Sequence, residues 1–266
     1  MSAIAEAAAI AAEGGVVALT GAGISAESGI PTFRDPGGLW NRFDPERYGT
    51  WEGLAALAMS HPDQLAEFLV ALRDAFAHAR PNAAHHALAD LEHAGIVVSV
   101  LTQNVDGLHQ EAGSLHVVEI HGSLHRRVCL VCGTEERVTR AEFLEGLARA
   151  IGGLRTAFVA SLASVLPRCH VCGGPTRPGV VAFGEPPLQF DEAKTLAASA
   201  RSMLVVGTAG EVEPAAALPR IARTAGLPVV HVGGESFVEA DVDLRGRAAR
   251  VLPDLARRTV AAAAAG

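Results

Sequence analysis

Short apolar runs, each ending near a glycine, threonine or asparagine, recur at Gly15–Thr20, Ile96–Leu101, Ser202–Val206 and Pro228–Val232. They show no polar alternation, which predicts strands of a parallel sheet buried on both faces. Between them, Ala83 to Ala94, Asp191 to Ala200 and Ala215 to Thr224 repeat their apolar positions at helical spacing. Strands alternating with helices predict a doubly wound α/β sheet, whose ligands sit beyond the carboxyl ends of the strands. The alanine-rich start, Ala3 to Ala12, reads as a surface helix leading into the first strand. Glu6, Glu13 and the want of a basic leader argue against a signal peptide.

Two segments interrupt the alternation. Residues 36–80 carry helical patterns, notably Gln64 to Ala79 with Leu65, Phe68, Leu69 and Leu72 on one face. Residues 126–178 hold every cysteine. The expected division is a sheet domain of 1–35, 81–125 and 179–266, with a smaller inserted lobe made of a helical module, 36–80, and a cysteine module, 126–178.

Composition narrows the class. The 266 residues are 49% hydrophobic and 19% charged, enough for a core and too apolar for global disorder. A net charge of −7 makes a broad nucleic-acid footprint unlike this chain. No apolar run is long enough to span a membrane. The expectation is a cytoplasmic protein with neither nucleic-acid nor membrane partners.

Cys129-x-x-Cys132 and Cys169-x-x-Cys172 form two knuckles, each followed by a glycine, Gly133 or Gly173, that permits a tight turn. Four thiolates make a closed tetrahedral Zn²⁺ shell, so the metal would be structural. Two local disulfides or four free thiols are the alternative. His125 and His170 lie nearby in sequence, but the thiolate set is already complete.

The turn Gly21-Ala22-Gly23 follows the first strand, where glycines let backbone N–H groups approach an anion at a helix start. The G-x-G-x-x-G spacing fails at Ala26, and no acidic residue ends a second strand about 20 residues on. Hydride-transfer chemistry is therefore disfavoured. Arg34 can pair with a pyrophosphate or form a surface ion pair. The polar cluster from Thr102 to His109 follows the second strand, and its Asn104 and Asp106 can bind a ligand or simply cap the next helix. His121 sits at the lobe junction, with an unperturbed pKa suited to acid–base work.

These residues resemble the sirtuin family. The likeness rests on Gly21-Ala-Gly-Ile-Ser-Ala-Glu-Ser-Gly-Ile-Pro-Thr-Phe-Arg-Asp35, then Thr102-Gln-Asn-Val-Asp-Gly-Leu-His109, His121-Gly122, the cysteine knuckles and Val181-Ala-Phe-Gly-Glu185 in that order. It implies a Rossmann-like large domain with a zinc-bearing small lobe. It also implies NAD-dependent removal of acyl groups from lysine in proteins or peptides, releasing nicotinamide and O-acyl-ADP-ribose. By motif, Gly21, Ala22 and Gly23 line the nicotinamide end, Phe33 shields the reacting ribose, and Arg34 meets the phosphates. Gln103 and Asn104 hold the ribose region, Asp106 binds the carboxamide, and His121 is the general base. Gly207, Thr208 and Ala209 face the nucleotide, and Val181, Phe183, Gly184 and Glu185 pair with the substrate backbone.

The chain departs from the pattern in places. Ala209 stands where sirtuins carry serine, and Gly233 near where an asparagine meets the adenosine ribose, which would weaken NAD binding. Leu69 and Leu72 stand where succinyl- and malonyl-removing sirtuins carry Tyr and Arg, implying an apolar wall and neutral acyl groups. The long gap between knuckles and the spelling of 127–133 are similar to a subclass with an enlarged zinc module, some of whose members transfer ADP-ribose. Mono-ADP-ribosyl transfer or NAD hydrolysis in the same pocket is the runner-up. A non-catalytic NAD-sensing module and an NAD-linked oxidoreductase rank lower.

Overall fold

A computed structural model describes residues 2–32, 38–156 and 165–265. Phe33 and Arg34 lie outside the described residues, as does the end of the helix expected from Thr139 to Ala163. The chain divides into two compact units, residues 1–30, 80–120 and 187–266 in the larger and 31–79 and 121–186 in the smaller. The sequence-drawn bounds at 125/126 and 178/179 fall inside two strands of the smaller unit, which pair with each other.

In the larger unit, α1 (Ala3–Ala12) leads into β1 (Val16–Thr20), and α6 (Ala83–His93), β2 (Val97–Thr102), α7 (Leu108–Ala112) and β3 (Val117–Glu119) follow. After the smaller unit come α9 (Phe190–Ser199), β7 (Ser202–Val206), α10 (Ala217–Thr224), β8 (Val229–Gly233), β9 (Val242–Arg245) and α11 (Ala248–Ala263). Among the described residues the strands pair in parallel in the order β3-β2-β1-β7-β8-β9. That is the Rossmann arrangement, with the order reversing between β1 and β7.

Successive strand residues serve opposite covers. Val16, Ala18, Leu204 and Val230 pack with α1, α6 and α11 through Ala8, Leu88, Leu91 and Leu252. Val17, Leu19, Met203 and Val229 pack with α9 and α10 through Ala193, Ala197, Leu218 and Ala222. Both faces are covered, so apolar residues run without alternation. Each large side chain buried this way contributes about 1.5–3 kcal/mol. The edge strands β3 and β9 escaped the sequence reading: one is three residues long, and the other alternates buried and exposed positions.

The smaller unit holds α2 (Leu39–Arg42), α3 (Pro45–Tyr48), α4 (Trp51–Ser60) and α5 (Pro62–Ala77), then β4 (Gly122–Cys129), β5 (Glu135–Arg137), α8 (Arg140–Thr156) and β6 (Thr176–Val180). Asp44 caps α3 and Thr50 caps α4 through side-chain oxygens, satisfying N–H groups that a helix start leaves unpaired. Phe43, Tyr48 and Phe68 meet with ring centroids 5.0–5.1 Å apart in a core with Leu57, Leu65 and Leu154. The helical and cysteine segments thus form one lobe, joined by α5 against α8, where Phe76 meets Phe143 edge-on. Its antiparallel sheet runs β5-β4-β6. No helix among the described residues is long and apolar enough to cross a membrane.

Candidate active site

The glycine turn after β1 is built by close approach to the turn after β7. A Cβ on Gly21 would stand 2.7 Å from Thr208 Cβ, and one on Gly23 2.8 Å from the Gly207 carbonyl oxygen. Gly23 N–H donates to that oxygen at 2.8 Å. No long helix follows, contrary to the phosphate-loop expectation. The chain makes two short 3₁₀ turns, Ala22–Ile24 and Ala26–Ser28, and leaves through Gly29 in the left-handed region, φ 86°. Any anion contact here comes from individual N–H groups, without the dipole of a long helix.

The second polar segment closes over this turn. Asn104 is buried; its Nδ2 donates to Gly21 O at 3.1 Å and to Ser25 Oγ at 3.2 Å. Ser25 Oγ donates to Asp106 Oδ2 at 2.7 Å, and Asp106 Oδ1 accepts the Leu108 N–H at 2.9 Å. Asp106 thus serves both as the cap expected of it and as a member of a buried cluster. Gln103 Nε2 donates to Thr208 Oγ1 at 3.0 Å, tying the ends of β2 and β7. Ala209 is exposed at the same turn.

Beneath the cluster lie two buried histidines that sequence reasoning missed, His85 and His109, with ring centroids 5.0 Å apart. His85 Nδ1 accepts the Asn82 N–H at 3.3 Å, so its Nε2 carries the proton, 3.4 Å from Ser25 Oγ. Thr20 Oγ1 donates to Thr102 Oγ1 at 2.9 Å, so His109 Nε2 donates to Thr20 at 2.9 Å and its Nδ1 is left without a partner. Burial, then repulsion from His86, lowers His85 to about 4. Burial, then His85, lowers His109 to about 3. Both rings are neutral at physiological pH. Ser25 was visible inside the glycine motif, but nothing in the spacing of His85 set it apart from the other histidines.

The remaining candidates belong to the smaller unit. His121 is half-buried, and its carbonyl accepts the Val181 N–H at 2.9 Å, so the histidine and segment 181–185 are joined. Segment 181–185 leaves β6 without strand geometry. Phe183 N–H donates to Gly49 O at 2.9 Å, and its ring lies 5.8 Å from Trp40. Glu185 is held on several sides. Arg177 Nη2 meets its Oε1 at 2.9 Å, while Trp51 Nε1 and the Ala182 N–H reach Oε2, both at 2.9 Å. The Arg177 guanidinium also stacks over Trp51, 4.6 Å from the ring centroid. Trp51 and Arg177 were missed, although Trp51 is one of only two tryptophans. Leu69 and Leu72 are half-buried against the helical core, and Arg73 pairs with Asp74 at 2.8 Å.

The four cysteine sulfurs lie within 4.8 Å of one another. Cys129 and Cys172 are 3.5 Å apart, Cys132 and Cys169 3.7 Å. Tetrahedral zinc with bonds of about 2.3 Å requires sulfur separations of about 3.8 Å. Val131 and Val171 N–H groups donate to Cys129 and Cys169 Sγ at 3.4 Å, supporting thiolate charge. Gly133 and Gly173 take φ 70° and 72°, as the knuckle turns require. The donor set fits structural zinc. His170 is committed elsewhere, at 2.6 Å from Glu136.

Residues 21–214 match the Sir2 family model. The chain belongs to the Sir2 family. It is 44% identical over 244 residues to the NAD-dependent protein deacylase 2 of Pyrobaculum aerophilum, covering 90% of this chain and 88% of that one. A solved Sir2 homologue in complex with NAD matches with TM-score 0.78 and 35% identity over 97% of this chain and 94% of its own. A Sir2 protein bound to a myristoylated histone peptide matches with TM-score 0.72 and 34% identity, over 97% and 96%. Within this family the two sets of candidates, one in each unit, are the glycine turn with Asn104 and Asp106, and His121 with its arm.

Proposed function

We propose that this chain is an NAD-dependent protein-lysine deacylase that consumes NAD and one water and yields nicotinamide, O-acyl-ADP-ribose and free lysine. The observation that carries the reading is the buried Asn104–Ser25–Asp106 cluster at the carboxyl ends of β1 and β2, in a chain of the Sir2 family. NAD supplies a glycosidic bond to nicotinamide, and the acyl oxygen of the modified lysine takes over the freed ribose carbon.

Asn104 spends its amide donors on Gly21 and Ser25, so its Oδ1 remains to hold a ribose hydroxyl or a water. Asp106, buried beside this turn, offers carboxyl oxygens of the kind that accept the carboxamide N–H groups of nicotinamide. Gly21, Ala22 and Gly23 offer a surface without bulky side chains to that ring. His121 Nδ1 or Nε2 takes the proton of a ribose hydroxyl, a role that needs a neutral imidazole. Gln103, Gly207, Thr208 and Ala209 bound the rest of the nucleotide, with Phe33 and Arg34 assigned by motif. Val181, Phe183, Gly184 and Glu185 form the arm that receives an acyl-lysine peptide.

Leu69 and Leu72 make an apolar wall, and Arg73 is paired away, so an acidic acyl group buried there would lack a counter-charge. Neutral acyl groups are therefore preferred, from acetyl to long chains, in keeping with the relative that holds a myristoylated peptide. Acyl-lysine proteins are the partners. Four clustered free cysteines in a metal-site arrangement favour a cytoplasmic place of action.

The test presents NAD with acetyl-, butyryl-, myristoyl- and succinyl-lysine peptides and follows products by mass spectrometry. Expected are O-acyl-ADP-ribose from the neutral substrates and a loss of about 10²–10⁴-fold in His121→Ala. Unchanged turnover in that variant overturns the base assignment, and fastest turnover of the succinyl peptide overturns the apolar wall. Free ADP-ribose as the main product would favour NAD hydrolysis, and labelled protein ADP-ribosyl transfer.

A further inference from the structure

The sheet order reverses between β1 and β7, and a dinucleotide lies across such a reversal with one nucleotide over each half. The reading above, on which this inference rests, gives the β1–β2 half to the nicotinamide end. The adenosine end then falls to β7, β8 and β9. The obvious positions there offer little. Thr208 Oγ1 already accepts from Gln103 and the Gly210 N–H and has only its O–H left to donate, Ala209 has no hydroxyl, and Gly233, the last residue of β8, has no side chain.

The room above Gly233 is bordered from below. His231 lies two residues earlier on the same face of β8, and its Nε2 and Cε1 stand 3.0 and 3.2 Å from where a Cβ of residue 233 would be. The ring is buried and fixed: Asp243, opposite it on β9, meets its Nδ1 at 2.8 Å. Arg245 Nε donates to the other Asp243 oxygen at 2.5 Å, and Arg245 Nη1 to Gly234 O at 2.7 Å. Burial works against ionisation of Asp243, but hydrogen bonds from His231 and Arg245 prevail and hold its pKa below the ordinary value. A carboxylate at Nδ1 places the proton there and leaves the Nε2 lone pair facing the end of the strand. Asp243 is the one polar partner of His231 among the described residues.

We propose that His231 is a specificity residue for the adenosine half of NAD, its Nε2 accepting a hydroxyl of the adenosine ribose from the space that a side chain at 233 would occupy. The hydroxyl donates and the imidazole accepts, an arrangement that Asp243 and Arg245 preorganise.

Calorimetric titration of the zinc-loaded full chain with ADP-ribose, and with its analogues lacking the 2′- or the 3′-hydroxyl of the adenosine ribose, tests this without turnover. The wild type is expected to bind ADP-ribose about three- to tenfold more tightly than one of the deoxy analogues. His231→Ala removes that preference. Asp243→Asn keeps the volume but frees the tautomer, and is expected to reduce the preference if the alanine variant fails to fold. Gly233→Ala pushes a Cβ onto Nε2 and is expected to erode the preference that the wild type shows. A purely structural histidine would leave the discrimination between analogues intact, and that result, or equal binding by the wild type, overturns the proposal. Failure of the wild type to bind ADP-ribose at all overturns the reading of the function as well.

Discussion

The polar cluster in the larger unit and the braced arm in the smaller one are held by opposite means. Ser25, Asn104 and Asp106 are buried, rest on neutral histidines, and are set by the ends of β1 and β2. Segment 181–185 is partly exposed and irregular, and it is set by one carboxylate, Glu185, gripped by Arg177 and Trp51. In the first, every member satisfies another, so disturbing one leaves a buried polar group unpaired, at about 1–3 kcal/mol. In the second, water can replace a lost partner, so the expected loss is placement rather than stability. Fold and chemistry are inseparable in the cluster and separable in the arm.

The largest test is metal removal. Structural zinc contributes about 10–16 kcal/mol of apparent binding energy in small zinc modules, so chelation or Cys169→Ser is expected to melt the β4–β6 ladder beside the knuckles. Hydrogen exchange is expected to show lost protection in β4 and β6 and retained protection in β1 and β7. Equal loss in both sheets would mean that the units do not hold themselves up independently.

Acidification is next and acts on the buried cluster. His85 and His109 titrate near 4 and 3 when folded, against about 6.5 when unfolded. Above about 6.5 both states are neutral and pH has no leverage. Below it the unfolded chain takes up protons that the folded chain refuses, so stability falls as pH drops from about 6.5 toward 4 and 3, by a few kcal/mol in all. Denaturant midpoints across that range measure the slope. His109→Gln is expected to flatten it, and an unchanged slope would show that these rings do not govern acid stability.

The smallest effect is expected at the arm. Glu185→Gln keeps an acceptor for Trp51 but loses the charge paired with Arg177. KM for an acyl peptide is expected to rise about tenfold, equivalent to about 1.4 kcal/mol, with ADP-ribose affinity unchanged. Trp51→Phe retains the ring under Arg177 and is expected to raise KM only about two- to threefold, because water can replace the indole donor at this partly exposed carboxylate. A fall in kcat with KM unaltered would place Glu185 in the chemistry and dissolve the contrast between the two regions.

Legibility from sequence followed the range of the interaction. The inner strands were readable because burial on both faces writes an unbroken apolar run, whereas β3 and β9, short or one-sided at the sheet edges, left weak signals. The knuckles were readable because Cys-x-x-Cys is a local geometry. His85, His109 and His231 were not, because a buried histidine is distinguished only by what the fold packs around it.

The sequence by itself determined the alternation of strands and helices, the zinc ligands and the motifs of a Sir2 chain. Those depend on periodicity, spacing and residue type, all of which act over a few neighbouring positions. Only tertiary structure decided that the glycines of residues 21–23 make room for the turn after β7, that Asp106 answers to Ser25, that Glu185 is gripped by Trp51, and that the fixed ring of His231 borders the space above Gly233. The first three are contacts between residues far apart in the chain and absent from any short window of the sequence; the last joins near neighbours, but its ring is set by Asp243 across the β8–β9 pairing.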